Sequence, residues 1–503
     1  MNPLADALVA PLASRTDTVL YRPDGTELSG TDLYALSGQI AHVLVSAGIA
    51  PGDRVMVQTE KSVEALALYL ACLRAGALFL PLNTAYTSAE LAYFLGDAEP
   101  KVVVCSPQAQ GDLAAMAAPS VTVLTLSGDG RGTLMEQARP APDDFETVAR
   151  APDDLAVILY TSGTTGRSKG AMLSHNNLLS NAISLAEAWR FTSDDTLLHA
   201  LPIFHAHGLF VATNVLLKAG GRMIFLPNFE VDTVLANLPK ATTMMGVPTF
   251  YTRLLADPRF TRAVCAHMRL FVSGSAPLLA ETHHAFEART GHRILERYGM
   301  TETTMNTSNP YEGERRAGTV GFPLPGVEAR ITDAQTGEAV TDGSPGILEI
   351  RGPNVFRGYW RMPEKTAEEF RDDGFFITGD IALIDADGYI SIVGRAKDLV
   401  ISGGYNVYPK EVETEIDLLD GVLESAVIGV PHSDFGEAVI AVVVRTSTQA
   451  IQGQAIIAAC KETLARYKCP KSVFFLAELP RNTMGKVQKN ELRRMFEGTF
   501  KNT

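Results

Sequence analysis

Short β-branched runs alternate with longer segments of helical periodicity along most of this chain, and that alternation limits the fold more than any other feature. KVVVC at 101–105, VTVLTL at 121–126, RMIFLP at 222–227 and RLFVSG at 269–274 read as buried strands. Between them, residues 178–189 place Leu178, Leu179, Ala182, Ile183, Ala186 and Trp189 at helical spacing. The pattern predicts a layered α/β architecture with largely parallel sheets. At 503 residues the chain exceeds one compact core, so two or more domains are expected.

Two changes of texture mark the organisation. From about 328 to 352 the sequence reads as strands separated by turns, a small β-rich subdomain. After GRAKD at 394–398 it reads helix (409–418), strand (425–430), strand (438–445), helix (453–467) and strand (472–476). That order fits a compact α+β unit able to fold alone. The expected division is therefore a large N-terminal domain of several subdomains over 1–396 and a small, mobile α+β domain over 397–503.

Composition excludes some functions. A net charge of −13 argues against nucleic acid as a partner, because phosphate-backbone binding needs a basic face. The most apolar run, 65–82, is broken by Arg74 and Gly76, so it reads as a buried helix entering a strand rather than a membrane span. MNPLADALVAPLAS carries Asp6 and no basic residue before Arg15, unlike a secretory signal or an Arg-rich transit peptide. A cytoplasmic protein with no membrane partner, a monomer or weak homo-oligomer, is expected. The five cysteines are scattered without a CxxC pair, which fits reduced thiols packed as small apolar groups.

YTSGTTGRSKG, at 160–170, lies between two strand-like stretches, LAVILY and AMLSH. A Gly-rich turn there lets backbone N–H groups approach an anion, helped by Thr and Ser hydroxyls. It is not a nucleotide-hydrolase P-loop, which needs Gly-Lys before Ser or Thr and a following helix. Here Lys169 lies between Ser168 and Gly170, and a strand follows.

The same chain holds LPIFHAHG (201–208), SGSAPL (273–278), ERYGMTET (296–303), FFITGD (375–380), GRAKDLVISGGYNVYPKEVE (394–413) and PRNTMGKVQ (480–488). In this order and spacing the motifs resemble the adenylate-forming superfamily of acyl-CoA synthetases, peptide-synthetase adenylation domains and luciferases. The resemblance covers essentially the whole chain. It implies that a carboxylate attacks the α-phosphate of ATP to give an acyl adenylate, from which a thiol, that of coenzyme A, displaces AMP. Bringing two anions together demands preorganised positive charge and hydrogen-bond donors.

The resemblance assigns Thr161, Ser162, Gly163, Thr164, Thr165, Gly166 and Lys169 to the ATP phosphates, and Glu302 to Mg²⁺, a hard cation suited to carboxylate and phosphate oxygens. It places the Tyr298 ring on adenine, with Ser273, Gly274, Ser275, Ala276 and Pro277 along the base edge and Gly299, Met300 and Thr301 completing the nucleotide site. Asp380 would accept both ribose hydroxyls, with Arg395 close by. Lys486 would bridge the substrate carboxylate and the α-phosphate during adenylation. Lys397 stands at the family's hinge, and Ser402, Gly403, Gly404 and Tyr405 would border the thiol tunnel in the second step. His205 and His207 would suit a metal pair only with further ligands, which the nearby sequence lacks. The resemblance makes His205 a gate to the tunnel and leaves His207 structural or pocket-lining.

Within the superfamily the motifs are most similar to malonyl-CoA synthetases. A second substrate carboxylate needs an inward-facing cation, and the planar fork of arginine matches it. Arg253, Ser275 and Arg297 fall on positions that would take the distal carboxylate, while Ala206 and Met305 would line the same pocket. The small Ala206 side chain would also admit the methyl branch of methylmalonate. Alternatives are a CoA ligase for a short monocarboxylate, an adenylating protein that loads a carrier protein, and a nucleotide-binding regulator without catalysis. Nothing in the sequence supports luciferase-type oxidation.

Overall fold

In the computed structural model the described residues are 1–22, 24–161, 168–334, 336–402, 405–432, 434–446, 451–482 and 485–500. The chain divides into two compact units, Met1–Glu328 with Ile350–Phe376, and Ala329–Glu349 with Ile377–Thr503. The boundary expected at 396/397 lies inside the second unit, within the 3-10 turn Ala396–Asp398.

The first unit carries two sheets among its described residues. The larger, nine-stranded sheet is ordered Phe322–Pro323, Thr304–Ser308, Leu295–Met300, Leu270–Ser273, Thr243–Gly246, Thr196–His199, Arg222–Phe225, Thr18–Tyr21 and Glu27–Ser29. Its six central strands are parallel, and the pairings toward both edges are antiparallel. The six-stranded sheet is ordered Thr122–Thr125, Val102–Cys105, Arg54–Gln58, Leu78–Pro81, Leu155–Thr161 and Lys169–Ser174. All its pairings are parallel except the last. Every residue of Val102–Cys105 is buried, as its unbroken apolar run requires of a parallel strand covered on both faces.

The apolar run at 65–82 is a helix and a strand. Helix Val63–Ala75 is buried throughout and ends at Gly76, whose φ of 70° suits a residue without a Cβ. Leu78–Pro81 follows as a strand. The break in that run, Arg74, is itself fully buried. Its terminal nitrogens donate to the carbonyls of Tyr34 (2.8 Å) and Phe145 (2.5 Å) and to Ser37 Oγ (3.0 Å). The expected helix at 178–189 spans His175–Ala188. It starts early because the Ser174 and Asn177 side chains each accept a hydrogen bond from the other's backbone N–H.

In the second unit the elements after residue 400 follow the expected order: helix Pro409–Asp417, strands Val422–His432 and Gly436–Arg445, helix Gly453–Thr463 and strand Ser472–Leu476. The three strands share a sheet with Val400–Ser402 and Tyr405–Val407. The β-rich stretch supplies Glu328–Thr332 and Gly346–Arg351 to a four-stranded sheet with Phe376–Ile384 and Ile390–Arg395. All five cysteines are buried free thiols. No helix among the described residues is long and apolar enough to cross a membrane.

Candidate active site

The parallel strands Thr196–His199, Thr243–Gly246, Leu270–Ser273 and Leu295–Met300 bring several motif residues to one edge of the large sheet. Gly246 is in register with Ser273, and Ser273 with Glu296. The segments leaving these strands include HAHG and SGSAPL, so they gather at the carboxyl ends, where open parallel sheets bind ligands.

Arg297 is the unusual residue of this edge. It is 4% exposed, and its Nε and Nη2 have no hydrogen-bond partner. Burial pulls its guanidinium down to about 9. Its strand neighbour Glu296 is not its counter-ion: that carboxylate faces His283 Nδ1 at 3.5 Å and accepts from Gly318 N at 3.3 Å. Arg74 shows the contrast, since carbonyls satisfy both its terminal nitrogens.

His207 and Tyr251 lie within electrostatic reach of Arg297. His207 is buried, with Nδ1 3.1 Å from Ser275 Oγ. Burial, then the charges of Arg297, His205 and His199, hold its ring well below the usual histidine range. Ser275 adopts φ 71°, a left-handed conformation uncommon for a residue with a Cβ. Ala206 and Met305 are buried, and His205 is half-buried. Arg253 stands apart in character: it is exposed on helix Pro248–Ala256 and lines an open cleft with Phe229, Glu230, Asp232 and Arg259.

Of the nucleotide residues, Ser273 is buried, with an unpartnered Oγ, while Pro277 is exposed and Ala276 half-buried. Tyr298, Gly299, Met300 and Thr301 are half-buried. Gly299 sits at a bulge between Leu295–Met300 and Thr304–Ser308, where a Cβ would lie 1.8 Å from the Thr304 carbonyl.

The phosphate-loop residues Ser162, Gly163, Thr164, Thr165 and Gly166 lie outside the described residues. Thr161 and Lys169 pair across the antiparallel strands that flank them, so a strand does follow the loop, as its sequence indicated. Residues 357–360 run along the second strand: Arg357 N donates to Met172 O (2.8 Å), Met172 N to Gly358 O (3.0 Å) and Trp360 N to Gly170 O (2.7 Å). This pairing sets Tyr359 and Glu369 beside Lys169. Lys169 Nζ lies 3.0 Å from Glu369 Oε1 and 4.0 Å from the Tyr359 ring centre. The Tyr359 hydroxyl lies 2.6 Å from Glu369 Oε2 and 3.1 Å from Glu302 Oε1, so its single proton is shared between two carboxylates. Glu302 is 6% exposed, so a motif carboxylate that composition alone would leave in solvent is buried.

In the second unit, Asp380 is buried and in register with Arg395, whose Nε lies 3.0 Å from Asp380 Oδ1. Lys397 is exposed at its turn overall, and partial desolvation of its ammonium, then the Arg395 charge, draws it below the usual lysine range. Ser402 is buried and paired with Tyr405, whose exposed ring stacks on Tyr467 at 4.8 Å. Gly403 and Gly404 lie outside the described residues. Lys486 is exposed, its backbone tied to Asn482 by bonds of 3.0 Å.

Sequence reasoning missed Tyr359, Glu369, Lys61 and His199. Lys61 Nζ lies 2.9 Å from His199 Nδ1 and donates to His199 O at 2.8 Å, while His199 Nε2 lies 2.8 Å from Gly208 O. This chain ties the HAHG loop to the strand before it. For His199 the sequence signal was a polar residue ending an apolar strand, which is too common to single out a site.

A family model described as AMP-binding enzyme matches residues 10–360, and one described as AMP-binding enzyme C-terminal domain matches 411–486. The crystal structure of ATP-bound MatB from Rhodopseudomonas palustris is 58% identical and has a TM-score of 0.97, covering 99% of this chain and 100% of that one. A malonate–CoA ligase of Arabidopsis thaliana is 36% identical over 484 residues, 90% of this chain and 79% of that protein. A feruloyl-CoA synthase of Amycolatopsis is 37% identical over 480 residues, 94% of this chain and 95% of that protein.

Proposed function

This chain belongs to the AMP-binding enzyme family, and from that premise we propose that it is an ATP-dependent, AMP-forming malonate–CoA ligase. Malonate is adenylated, and the acyl group passes to coenzyme A, yielding malonyl-CoA, AMP and pyrophosphate.

One observation carries the choice of acid: the buried Arg297 guanidinium with Nε and Nη2 unpartnered. An uncompensated buried charge is costly, and a carboxylate that meets the planar fork removes that cost. A monocarboxylate must keep its only carboxylate for the α-phosphate, so it leaves Arg297 unpaired. Feruloylate has the same shortcoming, although a feruloyl-CoA synthase is as similar in sequence as the plant malonate ligase. Ser275 and His207 add polar contacts beside the guanidinium.

Mg²⁺ fits the residues present. No cluster of three or more His, Cys, Asp or Glu among the described residues is arranged to hold a metal. Glu302 supplies one buried carboxylate, and Mg²⁺ characteristically takes one or two carboxylates together with substrate phosphates. When bound it neutralises charge on the phosphates. We assign Lys169 and the loop before it to those phosphates, Asp380 to the ribose and Lys486 to the charge that develops at the α-phosphate. Lys397 would be the hinge. Arg253, exposed in a cleft with Glu230 and Asp232, is a weaker partner for the distal carboxylate than the buried Arg297.

The test is AMP formation with ATP, Mg²⁺ and CoA across acetate, propionate, butyrate, malonate, methylmalonate, succinate and ferulate. A malonate preference that collapses in Arg297→Ala supports the reading. A monocarboxylate preference indifferent to that substitution would leave the ligase and remove malonate.

A further inference from the structure

The geometry points to Tyr359 and Glu369 as positioning residues for adenylation, the first orienting Glu302 and the second holding both Tyr359 and Lys169. The inference rests on the reading of Glu302 as the metal carboxylate and Lys169 as a phosphate cation.

Four side chains form one chain of contacts. Lys169 Nζ meets Glu369 Oε1 at 3.0 Å, and Glu369 Oε2 accepts from the Tyr359 hydroxyl at 2.6 Å. The same hydroxyl reaches Glu302 Oε1 at 3.1 Å. Burial works to raise the Glu369 carboxyl, but hydrogen bonds from Tyr359 and Lys169 outweigh it and hold it below the usual glutamate range. Lys365, at 3.1 Å from Glu369 Oε1, adds a second cation from the solvent side. Paired with Lys169 at 3.0 Å and Lys365 at 3.1 Å, the Glu369 carboxylate competes with phosphate for Lys169.

The backbone makes the arrangement specific. Residues 357–360 are hydrogen-bonded along Lys169–Ser174, and Phe356 N donates to Glu302 O at 2.8 Å. One short segment thus anchors the phosphate-loop strand and the Glu302 turn together. Tyr359 is 2% exposed and packs edge-on against Phe356 with ring centres 4.9 Å apart, so its hydroxyl has little freedom to turn elsewhere. A partner that orients a metal-binding carboxylate characteristically changes metal affinity or activity by about 10–100-fold when removed.

Two substitutions should separate the roles. Tyr359→Phe keeps the ring and removes the hydroxyl that bridges Glu302 and Glu369. It should leave metal-free ATP binding, measured calorimetrically in EDTA, within about twofold, while weakening Mn²⁺ binding to the ATP complex, read by electron paramagnetic resonance, by about tenfold or more. Glu369→Gln removes the charge competing for Lys169. It should tighten metal-free ATP binding several-fold, and the gain should vanish in a Lys169→Met background. Opposite responses of this kind are not produced by general loosening. If both variants bind ATP and Mn²⁺ as the native chain does, or lose both in parallel with melting temperature, the inference is overturned. A native chain that binds neither ATP nor Mn²⁺ would instead overturn the reading beneath it.

Discussion

The guanidinium of Arg297 lies so close over Gly274 that a Cβ on that glycine would fall 2.2 Å from Cζ. Gly274 therefore acts as a seat for the arginine, and its role is space rather than backbone freedom. Gly274→Ala should push the guanidinium out of place while leaving all its atoms present. A displacement of about 1 Å at a reacting or binding group costs on the order of 100-fold. The expected result is a fall of that size in kcat/KM for malonate, with a much smaller change in KM for ATP. Steady-state kinetics with each substrate varied in turn would check it.

On the proposed reading, Arg297 also sets function against stability. A buried cation with unpartnered nitrogens destabilises the unliganded protein, and an apolar side chain of similar length would not. Arg297→Met should raise unfolding stability by about 1–3 kcal/mol while abolishing malonate-dependent AMP formation. Malonate should raise the native melting temperature and leave that of the variant unmoved. Thermal unfolding with and without malonate measures both effects.

On the proposed reading, Ala206 sets the width of the acid pocket. It is buried at the start of the π-helical turn His207–Thr213, so a larger side chain there cannot turn into solvent. One methyl group is worth roughly 1–3 kcal/mol in discrimination. Ala206→Thr should therefore shift the ratio of kcat/KM for malonate over methylmalonate toward malonate by about tenfold or more. An unchanged ratio would place the branch elsewhere.

The fold was legible because burial leaves a mark on sequence. Val102–Cys105 is buried on both faces and reads as an unbroken apolar run. The interruption at Gly76 coincided with a real helix end. The candidate site residues came from a different source, the resemblance of Gly, Thr and charged residues at fixed spacing to a known chemistry. Arg297 could be named from its place before Tyr298, but its lack of partners could not, because that depends on where Glu296 and the Gly274 turn fall in space. Tyr359 and Glu369 left no mark. They meet Lys169 across an interval of about two hundred residues, through a strand-like segment that pairs with Lys169–Ser174 only in the folded chain.

Asp417 gives the second unit a pH dependence of definite sign. Burial, opposed by Lys410 and Ser425 and aided by Glu413 and Glu424, pushes its carboxyl up to about 6. Ser425 Oγ donates to its Oδ1 at 2.7 Å, and Lys410 lies 3.8 Å from Oδ2. A folded value above the unfolded one means that the protonated form is favoured by folding. The contribution is fully present below the unfolded value near 4 and is lost as pH rises through about 6. Asp417→Asn keeps an acceptor for Ser425 and needs no proton. It should stabilise the protein by about 1–3 kcal/mol at pH 7.5 and by little at pH 4. Denaturant unfolding at the two pH values, followed by a probe in the second unit, would check it; equal effects at both would place the cost of Asp417 in packing rather than charge.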